Sequence, residues 1–489
     1  MASISRHPTA PRRALAGRTL AAWLAAALAA VCLILGIPSC ARRNGARPRH
    51  VILISLDTAR ADHFGFLGNP AVRTPRLDAI ARESIVFEDC MTAAPSTLAS
   101  HTSLFTGKYP HHHGVPRNGF MVNRENQMLP EILKQAGFRT AGFAGSFSLD
   151  SRFDFAQGFD HYDEEYDVFV GEGGADQNQR PAEAVNAAVK RYLDQTGVPD
   201  HLFLFVHYFD PHQPYAAPAP FDTLYDPAGR KGLPTMRELK KSPALTAEAR
   251  EGFARRFEMQ YASEITYLDH HLGRLLDDLR ERGILEDALL VITSDHGENL
   301  WDHPAQFDHG HTVYQSTMRA VCVMRLPRGE SGGTRRKQLI SNVDVLPTLL
   351  GELGLDPPRG IDGERVRLRE PEAPLASRTR FGQATKPWQE VETDPRWTNL
   401  RKSRCVCQGR FKLIQTPWLG TEELYDLGSD PDERTDLLKD PSPRVAALAA
   451  SLRRKLEHWA ASAKPLPSRF EPAQQEETIR RLKSLGYIN

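Results

Sequence analysis

Four stretches of this chain are so uniformly apolar and β-branched that they read as strands shielded from water on both faces. Residues 50–56 read HVILISL, and comparable runs recur at 140–144, 201–207 and 288–293. A half-exposed strand alternates apolar with polar side chains, whereas a near-continuous run requires cover on both sides, as in a mainly parallel sheet. Helical stretches precede these runs, which is the alternation of an α/β domain. The clearest helix is predicted over 258–282, where Tyr261, Ile265, Leu268, Leu272, Leu275, Leu276 and Leu279 recur at three- and four-residue spacing. Two more are expected at 128–136 and 344–353, the latter capped by Asn342 or Asp344.

A chain of 489 residues exceeds one ordinary core, so a large domain and a smaller one are expected. Between 357 and 380 the pattern decays into Pro, Arg and Glu without periodicity, and the boundary is placed near residue 370. The expected architecture is therefore an α/β domain over 41–370, with a central mainly parallel sheet flanked by helices, and a small α+β subdomain and tail over 371–489. In the small part, 404–408 and 411–415 read as antiparallel strands, followed by 422–426, a helix over 444–460 and an amphipathic run at 476–485.

Residues 1–40 differ from the rest. Arg6, Arg12, Arg13 and Arg18 precede an uncharged run, rich in Ala and Leu, which is the layout of an export signal or an N-terminal anchor. It ends in Ile37-Pro38-Ser39-Cys40, similar to a bacterial lipobox in which Cys40 becomes the lipidated N-terminus. An uncleaved anchor and soluble secretion are the alternatives, Cys32 and Cys40 then being small apolar residues of a spanning helix. The expected location is the cell envelope, tethered to a membrane. With 62 basic and 61 acidic residues the chain has no global field to draw it to nucleic acid, and none is expected as a partner. Cys90, Cys322, Cys405 and Cys407 show no zinc-ligand spacing; Cys405 and Cys407 would share one strand face as a buried thiol pair rather than a disulfide.

The residues that carry chemistry fall where strands end. Asp57 follows the first run and Asp295-His296 follows the last, so all three sit at carboxyl ends of parallel strands, where ligands gather in open α/β sheets. Asp57 alone could cap a helix beginning at Ala59. A carboxylate beside an imidazole suits a divalent metal, with Gly297 allowing close backbone approach. Together with the hydroxyl of Thr97 they form a minimal kit for metal-assisted attack on a sulfate or phosphate ester.

On these residues, and on the segment 97–107 (TLASHTSLFTG) with Tyr109-Pro110 and His113-Gly114, Asp210-Pro211-His212, Asp344 with Pro347-Thr348, Lys412-Leu413-Ile414 and Glu423-Leu424-Tyr425-Asp426-Leu427, the chain resembles the sulfatase family of the alkaline phosphatase superfamily. The resemblance implies an alkaline phosphatase-like fold, the metal ligands Asp57, Asp295 and His296, and Thr97 at the nucleophile position, itself a fourth ligand with its hydroxyl ionised on the metal. Typical sulfatases carry Cys or Ser there, followed by Pro two residues on and Arg four on, and convert it to formylglycine. Counting ten back from Gly107 gives Thr97, with Ala99 and His101 at the other two places. Threonine cannot become that aldehyde, because its β-carbon bears a methyl group; no formylglycine is expected. A sulfated or phosphorylated Thr must be released by fresh attack at sulfur or phosphorus, which is ordinary for phosphorus.

The resemblance also places Thr58 and His296 where many sulfatases have a second Asp and an Asn. One imidazole among the ligands favours Mn²⁺ or Zn²⁺, with Ca²⁺ as the alternative; a second metal stays open. His212 corresponds to a leaving-group or ester-oxygen contact and is expected as general acid. His309 and His311 fall where the family has an active-site Lys, and one of them, His309 by preference, holds ester oxygens or a second metal. His101 is expected to act structurally. Arg60 and Lys108 could offset charge in the site, and His111-His112-His113 reads as a turn. The leading expectation is an exported, metal-dependent hydrolase of a small-molecule, glycan or lipid ester. A cell-surface phosphoglycerol- or phosphoethanolamine-type transferase or phosphodiesterase, and a silent binding protein, are the alternatives.

Overall fold

The apolar runs at 50–56, 140–144, 201–207 and 288–293 become four adjacent parallel strands. The computed structural model describes residues 47–166, 168–170, 176–303, 307–372, 378–385, 402–439, 442–468 and 476–484. The N-terminal run that carries the expected export signal or anchor, with Cys32 and Cys40, lies outside the described residues. Among those described, no helix is long and apolar enough to cross a membrane. The main sheet is built from β1 (His50–Leu56), β2 (Ile85–Phe87), β3 (Arg139–Phe143), β4 (His161–Asp163), β5 (Leu202–Tyr208), β6 (Ala288–Ser294), β7 (Cys322–Arg325) and β8 (Thr334–Arg336). Their order is β8-β2-β7-β6-β1-β5-β3-β4, with only β7 running against its neighbours.

Successive side chains of a strand point to opposite faces, so a fully apolar strand must feed two cores. Ile52, Ile54 and Leu56 pack with Leu77, Val185, Val189 and Leu268, from helices Pro75–Arg82, Ala182–Thr196 and Ala247–Glu281. Val51 and Leu53 pack with Leu98, Leu133 and Leu346, from Thr97–Thr106, Leu129–Gln135 and Val345–Glu352. Each such aliphatic side chain contributes about 1.5–3 kcal/mol when fully buried. The register sets Leu56 level with both Tyr208 and Ser294, so the residues that follow β1 and β6 emerge side by side.

Two sequence expectations need correction. Helix Ala247–Glu281 begins well before residue 258; its first turns are largely solvated and held by Thr246, whose hydroxyl accepts the Ala249 N–H at 3.2 Å, so they carry little apolar stripe. Neither Asn342 nor Asp344 caps Val345–Glu352 through its side chain. Asn342 instead accepts the Ala93 N–H at 3.0 Å and donates to Ser100 Oγ at 3.0 Å, and Asp344 takes the Ser341 N–H at 2.9 Å and Arg380 Nε at 2.9 Å.

The small sheet is antiparallel, β9 (Thr379–Thr385), β10 (Lys402–Gln408), β11 (Phe411–Thr416) and β12 (Thr421–Asp426) in that order. One face, with Val406, Leu413 and Leu424, covers Leu452, Leu456 and Trp459 of helix Pro443–Ala461. The other, with Cys405, Cys407 and Ile414, meets Met91 and Met318, and both cysteines are buried free thiols as expected. β9 had no clear sequence signature: TRFGQAT breaks its alternation with Gly382, and the strand is held by β10 and by the Gln383 N–H donating to Ala93 O at 3.0 Å.

Candidate metal centre and active site

Three neighbouring strands deliver the site. Asp57 leaves β1, Asp295 and His296 leave β6, and His207 lies near the end of β5; all four are buried. Asp57 caps no helix at Ala59, because the chain there turns through Thr58 at φ 52° and the next helical turn is Ala61–His63. A left-handed β-branched residue is costly, and Thr58 is pinned from both sides. Its N–H donates to Asp295 Oδ1 at 3.1 Å and its carbonyl accepts the Tyr261 hydroxyl at 2.7 Å. Gly297 is required as expected: a Cβ there would lie 2.1 Å from Ser316 O.

Asp57, Asp295 and His296 each present one ligand atom, all within 4.8 Å of one another. His296 Nε2 lies 3.4 Å from Asp295 Oδ2 and 3.9 Å from Asp57 Oδ1. The hydrogen bonds fix the imidazole: its Nδ1 is 2.8 Å from Gly297 O, which can only accept, so Nδ1 carries the proton and Nε2 a lone pair. Asp57 Oδ1, Asp295 Oδ2 and His296 Nε2 are buried and have no hydrogen-bond partner among the described residues. Orphaned acceptors are rare in protein interiors, and three converging ones suit a divalent cation. Electrostatics agree: burial pushes Asp57 up to about 7, and burial with the Asp57 charge pushes Asp295 up to about 8, while burial lowers His296. Two carboxylates so close stay ionised only beside compensating positive charge.

Thr97 is the first residue of helix Thr97–Thr106, whose far end is closed by Gly107 in the left-handed region at φ 66°. The Thr97 side chain hydrogen-bonds the Asp57 carboxylate, which puts the hydroxyl at the ligand cluster. His101, one turn along, donates from Nδ1 to Thr97 O at 2.7 Å and accepts the Ser55 hydroxyl at Nε2 at 2.8 Å, a structural role as expected. Ser100 Oγ donates to Asp295 O at 2.7 Å.

The other sequence candidates separate. His309 stands beside His296, ring centres 4.6 Å apart, with Nδ1 3.3 Å from Glu298 Oε1. His212 packs against His309 at 5.1 Å between ring centres and donates from Nδ1 to Gln213 O at 2.7 Å. His212 is thereby held neutral, lowered to about 3 by burial and by His309. His311 turns instead to Asp308, at 3.6 Å, and to the Thr385 carbonyl. Arg60 is buried, its charge spent on Asp62 and Asp302, and it braces the turn after His296 by donating to Glu298 O at 3.2 Å. Lys108 lies past the far end of the Thr97 helix, roughly 15 Å along its axis, and donates to Asn126 Oδ1 at 3.3 Å, so it offsets no charge at the metal ligands. The three consecutive histidines form the short helix Pro110–His113, where His113 Nε2 meets Ser103 Oγ at 3.0 Å.

Three residues at the site escaped sequence reasoning. His207 accepts the Gly145 N–H at Nδ1 (3.2 Å), so its Nε2–H donates to Asp57 Oδ2 (3.2 Å) and orients that ligand. Its only signal is a polar residue at the end of an apolar run. Asn118 Oδ1 accepts the Leu98 N–H at 2.7 Å and the Ser96 hydroxyl at 3.2 Å, placing its amide beside Thr97 with no pattern to announce it. Glu298 follows His296 by two and accepts the Tyr215 hydroxyl at 3.2 Å.

Known proteins share this arrangement of the chain. The family profile described as Sulfatase matches residues 49–355, and one described as N-sulphoglucosamine sulphohydrolase, C-terminal, matches residues 303–462. An ulvan-active sulfatase of Formosa agariphila is 27% identical over 438 residues, covering 83% of this chain and 81% of that protein. A multifunctional alkaline phosphatase superfamily protein of Trinickia caryophylli is 25% identical over 494 residues, covering 84% of this chain and 95% of its own. The crystal structure of phosphonate monoester hydrolase of Agrobacterium radiobacter superposes with a TM-score of 0.70 at 21% identity, covering 86% of this chain and 96% of that one, a likeness of fold.

Proposed function

The chain belongs to the sulfatase family, and from that premise we propose that it is a metal-dependent hydrolase of sulfuric or phosphoric esters with the Thr97 hydroxyl as nucleophile. The observation that carries this reading is the hydrogen bond from Thr97 to Asp57, beside three buried ligand atoms that lack partners. A divalent ion held by Asp57, Asp295 and His296, with Thr97 beside it, would supply Lewis acidity and offset the carboxylate charge. The Asp57 carboxylate orients the Thr97 hydroxyl and holds its proton as Oγ1 bonds to sulfur or phosphorus and the ester bond breaks. The Asn118 amide, its oxygen committed to the Leu98 N–H, offers its nitrogen to an ester oxygen. His212 has its Nδ1 proton committed to Gln213 O, so Nε2 carries a lone pair and not the proton a general acid needs: it takes a proton from the water that frees Thr97, and the departing oxygen draws its proton from solvent. His309 sits where it can contact the ester oxygens.

Release of the Thr97 ester by water favours phosphorus over sulfur, since no aldehyde hydrate is available to expel sulfate. One imidazole in the ligand set favours Mn²⁺ or Zn²⁺ over Ca²⁺. The Arg-rich and apolar stretch before residue 40 supports export and tethering at the cell envelope; Cys40→Ser releases the protein from membranes if lipid holds it. The test of the main reading is turnover of an aryl sulfate, a phosphate monoester, a phosphodiester and a phosphonate monoester by metal-stripped and reloaded protein. Full turnover by Thr97→Ala on the best of these would overturn it.

A further inference from the structure

The chain leaves β1 through a turn that a single hydroxyl on another element holds in shape. Tyr261, on helix Ala247–Glu281 and fully buried, donates that hydroxyl to Thr58 O at 2.7 Å and accepts the Arg60 N–H with it at 2.9 Å. Its ring is wedged edge-on between His63, 5.0 Å away between ring centres, and Tyr215, 5.4 Å away. Thr58 stands in this turn at φ 52°, and among the described residues it is the one β-branched residue at positive φ. Such a conformation is costly for a side chain branched at Cβ, and it persists only where the surroundings impose it. We infer that Tyr261 is a positioning residue for the metal centre, its hydroxyl holding Thr58 in the left-handed conformation that sets Asp57 and Asp295 for the ion.

The link runs through Asp295. Its Oδ1 accepts two N–H groups, from Thr58 at 3.1 Å and from His296 at 2.7 Å, while Oδ2 faces the ligand cluster, 3.4 Å from His296 Nε2. Thr58 is thus tied at its N–H to Asp295 and at its carbonyl to Tyr261, and rotation toward negative φ would break one of these bonds. The peptide that carries the Thr58 N–H begins at Asp57, whose own N–H donates to Tyr208 O at 2.9 Å. The turn therefore couples the ligand leaving β1 to the ligand leaving β6. Phenylalanine at 261 would fill the same space but offer neither a donor to Thr58 O nor an acceptor to the Arg60 N–H, and both residues are buried. The strain at Thr58 would then lose its counterweight, and the Thr58 N–H its hold on Asp295. Glycine at 58 adopts φ 52° without strain, so it removes the need for the brace and keeps both backbone groups.

This role of Tyr261 rests on the reading of Asp57, Asp295 and His296 as metal ligands, and one set of measurements separates the two. Binding of Mn²⁺ or Zn²⁺ to the metal-stripped full chain is measured by calorimetry for the parent, Tyr261→Phe, Thr58→Gly and the double variant, with urea unfolding of each. Tyr261→Phe should weaken binding by roughly tenfold, as removal of a group that orients a ligand does. In the Thr58→Gly background the same substitution should cost less than about threefold, because no strain is left to oppose. An unchanged affinity in Tyr261→Phe overturns the brace even if its urea midpoint falls, since lost packing alone would do that. An equal loss in both backgrounds also overturns it, since the hydroxyl would then act without passing through Thr58. A parent that binds neither ion overturns the ligand reading, and the brace with it.

Discussion

Two clusters of buried charge invite comparison. In the small sheet, Lys412 and Glu433 are fully buried with Nζ and Oε1 2.8 Å apart; Lys412 also donates to Gln315 Oε1 at 3.3 Å, and Glu433 takes the Gln315 N–H at 2.5 Å. At the carboxyl edge of the main sheet, Asp57 and Asp295 are equally buried but carry the same sign, and each keeps an acceptor without a partner. The first cluster is neutral within itself and completes a fold. Among the described residues nothing neutralises the second, which suits a divalent cation. Burial of charge therefore does not distinguish a site from a strut; the sign of the buried charges does.

The largest effect should come from the residue that stands at the open cluster without being needed for its charge. Thr97→Ala should lower kcat by at least about 10⁴-fold, as loss of a nucleophile does, while metal content measured after dialysis stays at the parent's level because three ligands remain. Loss of metal together with activity would mean that the ion depends on the Thr97 oxygen, and the fall in kcat would no longer identify a nucleophile. Next comes the closed cluster. Lys412→Met leaves Glu433 buried and unpaired and should cost about 3–5 kcal/mol in urea unfolding, whereas Lys412→Met with Glu433→Leu should recover most of it. If the single variant is as stable as the parent, the pair is not the strut it looks to be.

The open cluster should respond with the opposite sign. Asp295→Asn removes one of two like charges, so the metal-stripped variant should be more stable than the metal-stripped parent by about 2 kcal/mol at neutral pH, and should bind no Mn²⁺ or Zn²⁺ by calorimetry. The pH dependence follows from the raised values of about 7 for Asp57 and about 8 for Asp295. Groups raised in the folded state contribute stability below the ordinary carboxylate range and lose it as pH rises through their folded values. The melting temperature of the metal-stripped parent should therefore fall from about pH 4, where the unfolded carboxyls ionise, to about pH 9, and reloading should flatten that fall. A metal-stripped parent with a level profile there would mean that the carboxylates are compensated from within, as Lys412 and Glu433 are.

The two clusters were also unequally legible in the sequence. Asp57, Asp295 and His296 stand out because each follows an apolar run, and Thr97 follows from the family resemblance, by counting ten residues back from Gly107. The four central strands were readable for the same reason: a strand buried on both faces leaves a run that no half-exposed element leaves. What the sequence hid are contacts made across the fold by residues inside regular elements. His207 sits within an apolar strand run, and Glu264, which accepts the Ala216 N–H at 2.6 Å, on a helix whose periodicity explains its neighbours. Asn118 lies in a loop twenty residues from Leu98, and the partnership of Lys412 with Glu433 depends on a strand and a turn that come together only in the folded small sheet. Periodicity reports which face of an element is buried, and it is silent on which polar groups meet there.

The smallest effect sharpens the contrast most, because His207 belongs to both kinds of cluster. It stands among the metal ligands, yet both its nitrogens are satisfied: Nδ1 by the Gly145 N–H and Nε2 by Asp57 Oδ2. Burial lowers it to about 4, so it is neutral and contributes a dipole rather than a charge. Its Nε2–H therefore orients Asp57 without relieving the repulsion between Asp57 and Asp295. His207→Gln should weaken metal affinity by roughly tenfold, about 1.4 kcal/mol, and leave the fall of the metal-stripped melting temperature with pH in place. If the substitution instead flattened that fall, His207 would be carrying positive charge, and the cluster at the carboxyl edge would be partly closed by the chain itself.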